Sequence, residues 1–145
     1  MTIERRILAI DVGERRVGLA ITDPLAVFAS GLPTAPADER LVAHLLRILA
    51  DYRVTEIVVG LPLTLKGEVG ASARRVHAFV ESLRPLVAVP IVLWDERFTS
   101  VQAEQTIRDL GVNRKNRRRK EKIDELSAVH LLQNYLQSLP PQARN

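Results

Sequence analysis

Short apolar runs and longer stretches of helical spacing alternate along this chain. Arg6 to Ile10 (Arg-Ile-Leu-Ala-Ile) predicts a buried strand ending at Asp11, and Val17 to Ile21 predicts a second. Gly13-Glu14-Arg15 is the turn between them. A third short strand is expected near Phe28 to Leu32, before the punctuation of Pro33 and Pro36. Leu41, Val42, Leu45, Leu46, Ile48 and Leu49 recur at helical spacing, which predicts a helix from Asp38 to about Tyr52. Glu56 to Gly60 is a strongly apolar strand, and Val76, Phe79, Val80 and Leu83 mark a second helix from about Ala71 to Leu83. Val89 to Trp94 reads as a further strand, with Pro90 near its start. Thr99-Ser-Val-Gln102 has the form of a capping box, so a helix to Leu110 is expected, stopped by Gly111. A basic loop follows, then a last helix from about Lys122 to Leu136, with Pro140-Pro141 ending the order.

The predicted order, β-β-β-α-β-α-β-α-α, implies an α/β fold with a mixed sheet and helices on its faces. With 145 residues, 46% of them hydrophobic, the chain has enough apolar material for one core. A single domain over residues 1–138 with a short tail at 139–145 is expected. There is no cysteine, which removes disulfides, thiol chemistry and Cys-ligated zinc. The three histidines, His44, His77 and His130, lie far apart on predicted helices, where a structural or solvated role fits them best. Any metal must then be held by carboxylates, which favour hard ions such as Mg²⁺ or Mn²⁺. No apolar run is long enough to span a membrane, and the N-terminus lacks a signal-peptide core, so the expected location is cytoplasmic, with no membrane partner.

Charge is concentrated rather than spread. Arg114, Lys115, Arg117, Arg118, Arg119, Lys120 and Lys122 stand with one acid, Glu121, in a nine-residue stretch of net charge +6. The whole chain carries +4, so the remainder is −2. A block of this kind fits a polyanion, because neutralising phosphates releases counterions, or else a solvated loop without a partner.

The acids fall where an α/β sheet gathers its reactive groups, at the carboxyl ends of strands. Asp11 ends the first strand, and Asp95 and Glu96 end the Val89–Trp94 strand. In the last helix Ala128, Leu131, Leu132 and Tyr135 form the core-facing stripe, and Asp124, four residues before Ala128, opens it. Each position alone also fits a structural role: hairpin chemistry for Asp11, a loop pair partnered by Arg97 for Asp95 and Glu96, compensation of the helix dipole for Asp124. Together they are acids from three separate segments that one sheet can converge. Converging carboxylates repel unless a divalent cation binds between them, and such ions can activate water for phosphodiester hydrolysis.

Four segments in register carry a resemblance. Asp11-Val-Gly-Glu-Arg-Arg16-Val-Gly18 fits a D-x-G-x-x-R-x-G opening, and Gly60-Leu61-Pro62 follows the middle strand. Asp95-Glu96-Arg97-Phe98-Thr99-Ser100 fits a D-E-R-x-T-[TS] block, and Lys122-Ile-Asp124-Glu-Leu-Ser-Ala128 opens the final helix. From about Arg6 to Leu136 the chain resembles the YqgF/RuvX family of bacterial nucleases. The resemblance implies an RNase H-like fold, a five-stranded mixed sheet flanked by helices. It also implies Asp11, Glu96 and Asp124 as catalytic metal ligands, with Asp95 as an auxiliary or supporting acid. Arg16 is available to an acid or a phosphate. The loop Leu63-Thr-Leu-Lys66-Gly67 departs from the family, which usually has an Asn and an acid before the glycine; Lys66 there favours a phosphate contact.

The function this implies is metal-dependent hydrolysis of phosphodiester bonds in structured RNA, in processing the 5′ end of the small-subunit ribosomal RNA precursor. The alternatives are a Holliday junction resolvase acting on branched DNA, which requires a homodimer with two sites, and a non-catalytic nucleic-acid-binding module. A phosphotransferase of the actin and sugar-kinase type needs two such domains closed over ATP, more than 145 residues supply. With aromatics at 4%, recognition leans on shape and phosphate rather than on stacked bases.

Overall fold

The structure, a computed structural model, describes residues 4–63, 66–95 and 117–140, of which 117–125 are described by their backbone. Five strands form one sheet: β1 (Ile7–Val12), β2 (Arg16–Thr22), β3 (Ala29–Pro36), β4 (Glu56–Leu61) and β5 (Ile91–Asp95). Among the described residues three α-helices accompany them: α1 (Leu41–Asp51), α2 (Ala71–Leu83) and α3 (Arg117–Ser138). The strand order is β3-β2-β1-β4-β5. The β1–β2 and β2–β3 pairs are antiparallel, while β1–β4 and β4–β5 are parallel, so the sheet is mixed as expected.

Alternation along the central strands divides the core in two. Leu8, Ile10, Val17, Leu19, Ile57 and Val59 point to the face covered by α1 and α2, where Leu41, Leu45, Ile48, Val76, Val80 and Leu83 meet them. Ile7, Ala9, Ala20 and Val58 point to the other face, against Ala128, Leu131, Leu132, Tyr135 and Leu136 of α3. Both faces of β1 and β4 are covered, which is why these strands read as unbroken apolar runs.

α1 is shorter than expected, at Leu41–Asp51, and three further boundaries differ for physical reasons. β3 continues past Pro33 to Pro36. It is an edge strand, and its register to β2 slips between Val17–Ala35 and Leu19–Leu32, placing a bulge at Pro33-Thr34 where the missing N–H costs no ladder bond. β5 starts at Ile91 rather than Val89, because Pro90 has no N–H to donate to the ladder and only its carbonyl, accepting from the Ile57 N–H, reaches β4. α3 starts at Arg117, so the residues from Arg117 to Lys122 are helical and not loop. Arg, Lys and Glu are good helix formers, and here propensity outweighs repulsion among like charges. The expected helix from Thr99 to Leu110 lies outside the described residues.

At the end of the sheet where β1 and β4 begin, the buried carboxylate of Glu56 is fully engaged. Arg5 donates Nε–H to Oε1 at 2.7 Å, and the Tyr135 hydroxyl donates to Oε2 at 2.7 Å. Trp94 meets the Tyr135 ring edge-on, with centroids 5.4 Å apart. Burial, with the hydrogen bond to Glu56 adding to it, pushes the Tyr135 phenol from 10.0 up to about 12. Below the lower value the phenol is protonated in both folded and unfolded chains. Between the two values only the unfolded chain releases its proton, so folding stability falls as pH rises through this window. In a Tyr52→Phe variant, which leaves one tyrosine, the tyrosinate absorbance of the folded protein is expected to appear near pH 12 and that of the urea-unfolded chain near pH 10. Coincident titrations would contradict the buried network.

Candidate active site at the carboxyl end of the sheet

Asp11 lies at the opposite end of β1. It continues the series Ile7, Ala9 and therefore sits on the α3 face of the sheet, half-buried. Its partner across the β1–β2 hairpin is Gly18. On the other side Ile10 pairs with Val59, and one more step of that register brings Asp11 level with Gly60. Glycine therefore stands at the position level with Asp11 on both neighbouring strands. Arg16, the first residue of β2, precedes Gly18 and Ala20 on this same face.

The hairpin that carries Asp11 is built tightly. The Gly13 N–H donates to the Arg16 carbonyl at 3.0 Å. A Cβ on Gly13 would stand 2.5 Å from that same oxygen, so the turn requires glycine on grounds of space. The Ala37 N–H donates to the Arg15 carbonyl at 2.9 Å, and Arg75 of α2 pairs with Glu14 at 3.2 Å. The turn is thus held from two sides by elements distant in sequence. The Glu14–Arg75 link joins residues 61 apart, and no local pattern in the sequence signals it.

The other expected residues fall as follows. Asp95 ends β5 and continues Ile91 and Leu93, which places it on the α1/α2 face, opposite to Asp11. Glu96 lies outside the described residues, as do Arg114 and Lys115. Asp124 is the eighth residue of α3, four residues before buried Ala128. Arg117, Arg118, Arg119, Lys120 and Lys122 occupy the first two turns of the same helix. Lys66 is exposed in the turn between β4 and α2. His44, His77 and His130 are on α1, α2 and α3 as anticipated. Among the described residues no three His, Asp or Glu side chains converge; that set includes the side chain of Asp11 but not those of Glu96 and Asp124. Also among the described residues, no helix is long and apolar enough to cross a membrane.

Residues 5–138 match the family described as "RuvX: Holliday junction resolvase". The chain belongs to the RuvX family. Among its relatives in that family, a protein of Roseiflexus sp. (strain RS-1) is 46% identical over 135 residues, covering 92% of this chain and 94% of the relative. One from Sulfurihydrogenibium sp. (strain YO3AOP1) is 45% identical over 136 residues, covering 92% and 91%. Both bear the name "Putative pre-16S rRNA nuclease". Among solved structures, the Thermus thermophilus RuvC in complex with Holliday junction substrate superimposes with a TM-score of 0.55 at 17% identity, covering 92% of this chain and 95% of that one. The fowlpox virus resolvase bound to Holliday junction DNA gives 0.54 at 15% identity, covering 92% and 97%. These likenesses establish the fold: the RuvX chain has the RNase H-like architecture that its motifs imply.

Proposed function

We propose that this chain is a metal-dependent nuclease that hydrolyses phosphodiester bonds in structured RNA, acting at the 5′ end of the small-subunit ribosomal RNA precursor. The observation that carries the reading is the place of Asp11: a half-buried carboxylate at the carboxyl end of the central strand, on the α3 face, flanked by Gly18 and Gly60. A carboxylate in such a setting has room for a hydrated cation, and an all-oxygen donor set suits Mg²⁺ or Mn²⁺. Asp11, Glu96 and Asp124 are the residues that would hold it. Helix rise supports the third. Tyr135 ties α3 to Glu56 where β4 begins, and residue 124 lies eleven positions earlier, about 16 Å along the axis. From Ile7, level with Glu56, to Asp11 is about 13 Å of strand. Asp95, on the opposite face, is outside this set. When bound, ions of this kind activate water and stabilise the leaving oxygen.

The chain's own groups bind and orient. Arg16, on the same face as Asp11, is positioned to hold a phosphate beside the acids. The basic first turns of α3 attract the nucleic-acid backbone. They have no acid in the first turn, so they stand at the positive end of the helix dipole, an arrangement that a phosphate would stabilise. The names borne by the relatives point to ribosomal RNA, so the cytoplasm is where we place this activity.

The test is cleavage of three substrates with Mg²⁺, Mn²⁺ or a chelator: a ribosomal RNA precursor fragment, a four-way DNA junction and plain duplex DNA. Metal-dependent cutting of the RNA alone is expected. Paired symmetric cuts in the junction alone would replace this reading with a dimeric resolvase. Binding without cleavage of any substrate would replace it with a non-catalytic module.

A further inference from the structure

A second basic surface lies at the same end of the sheet, on the side away from α3. The Glu14–Arg75 pair brings the β1–β2 turn against the first turn of α2. That contact brings Arg15 of the turn to the end of the sheet where Arg74 and Arg75 open α2, and Lys66 stands in the segment leading into that helix. Arg15, Lys66 and Arg74 are exposed. Among the described residues no acid pairs with any of these three, whereas Arg40 and Arg84, elsewhere on the surface, pair with Asp38 and Glu81. The acids at this end on the α2 side are Glu14, which Arg75 engages, Glu68, and Asp95 at the end of β5. Four cations against three acids leave the rim positive, and it borders the hairpin that carries Asp11. α2 packs on the face opposite to α3, so this rim and the basic turns of α3 belong to opposite faces of the sheet.

We propose that Arg15 and Arg74 contact phosphates of the nucleic-acid substrate on the α2 side of the site, so that the backbone is held from both faces of the sheet across Asp11. The inference rests on the nuclease reading above, and it assigns a substrate role to two residues outside the acidic and α3 groups. Arg75 takes no direct part; its pairing with Glu14 positions the turn. Each phosphate neutralised by an arginine contributes about 0.9 to the slope of log K against log salt on a duplex, which near 0.1 M salt corresponds to roughly eightfold in affinity.

The experiment is fluorescence-anisotropy binding of a hairpin RNA over a salt series, with chelator present so that no cleavage occurs. Wild type is compared with Arg15→Ala/Arg74→Ala, with Arg15→Lys/Arg74→Lys, and with Arg84→Ala as a distant charge control. The double alanine variant is expected to bind about 60-fold more weakly near 0.1 M salt and to lose about 1.8 from the slope. The lysine variant is expected to keep most of both, and Arg84→Ala to match wild type. An unchanged slope in the alanine variant, with wild type binding normally, would overturn this inference alone. Equal losses in Arg84→Ala would also overturn it, by reducing the effect to net charge. Failure of wild type to bind would overturn the nuclease reading together with it.

Discussion

Replacing Asp11 by Asn is expected to lower the rate of cleavage by about a thousandfold or more while leaving RNA affinity within a few-fold of wild type. The substitution keeps size and hydrogen-bonding capacity but removes the negative charge that a divalent ion requires. Losing one charged ligand removes several kcal/mol of transition-state stabilisation, and each ~1.4 kcal/mol is tenfold in rate. Folding is not at stake, because Asp11 lies at the end of β1, beyond the buried run Ile7 to Ile10, with Gly18 opposite. The split between rate and binding identifies the role. Single-turnover cleavage in Mn²⁺ gives the first quantity and binding in chelator the second. A variant that binds poorly and cleaves in proportion would make Asp11 a structural residue of the hairpin.

Neutralising the start of α3 should give the complementary result. With Arg117, Arg118, Arg119, Lys120 and Lys122 all replaced by Gln, helix propensity is nearly kept, so α3 is expected to form over the same residues. Five positions in two turns surround the helix, and one phosphate backbone can meet about three of them. The salt slope should then fall by roughly 2.7, and affinity near 0.1 M salt by several hundredfold. Cleavage at saturating RNA should change far less, because the acids remain. Removing the cations also takes positive charge from the positive end of the helix dipole. The unliganded variant is therefore expected to unfold at an equal or higher temperature than wild type. Undiminished RNA binding would leave the basic run as a solvated surface without a partner.

Much of this was legible in the sequence, and the exceptions have physical causes. β1 and β4 were clear because strands buried on both faces are continuous apolar runs. α2 was clear because Val76, Val80 and Leu83 keep one stripe. β3 was read too short because Pro33 ordinarily stops a strand, and only its place at the sheet edge permits the bulge. The start of α3 is not legible because seven cations in nine residues suggest a repelling loop, which propensity overrides over Arg117–Lys122. In the candidate site, the place of Asp11 after an apolar strand is legible, and alternation also puts it on the α3 face. The partnership of Glu14 with Arg75, and of Glu56 with Arg5 and Tyr135, was not visible, since tertiary contacts 51 to 79 residues apart leave no local pattern.

The most direct test of the account concerns Asp124, assigned to the site by its position on α3 and by the family motif. Wild type and Asp124→Asn are compared for cleavage of a ribosomal RNA precursor fragment in Mn²⁺, at RNA concentrations that saturate both. The account predicts specific metal-dependent cutting by wild type and none by the variant, with equal binding. Cutting by Asp124→Asn at the wild-type rate would contradict it, because the acids of β1 and α3 would then not share one site.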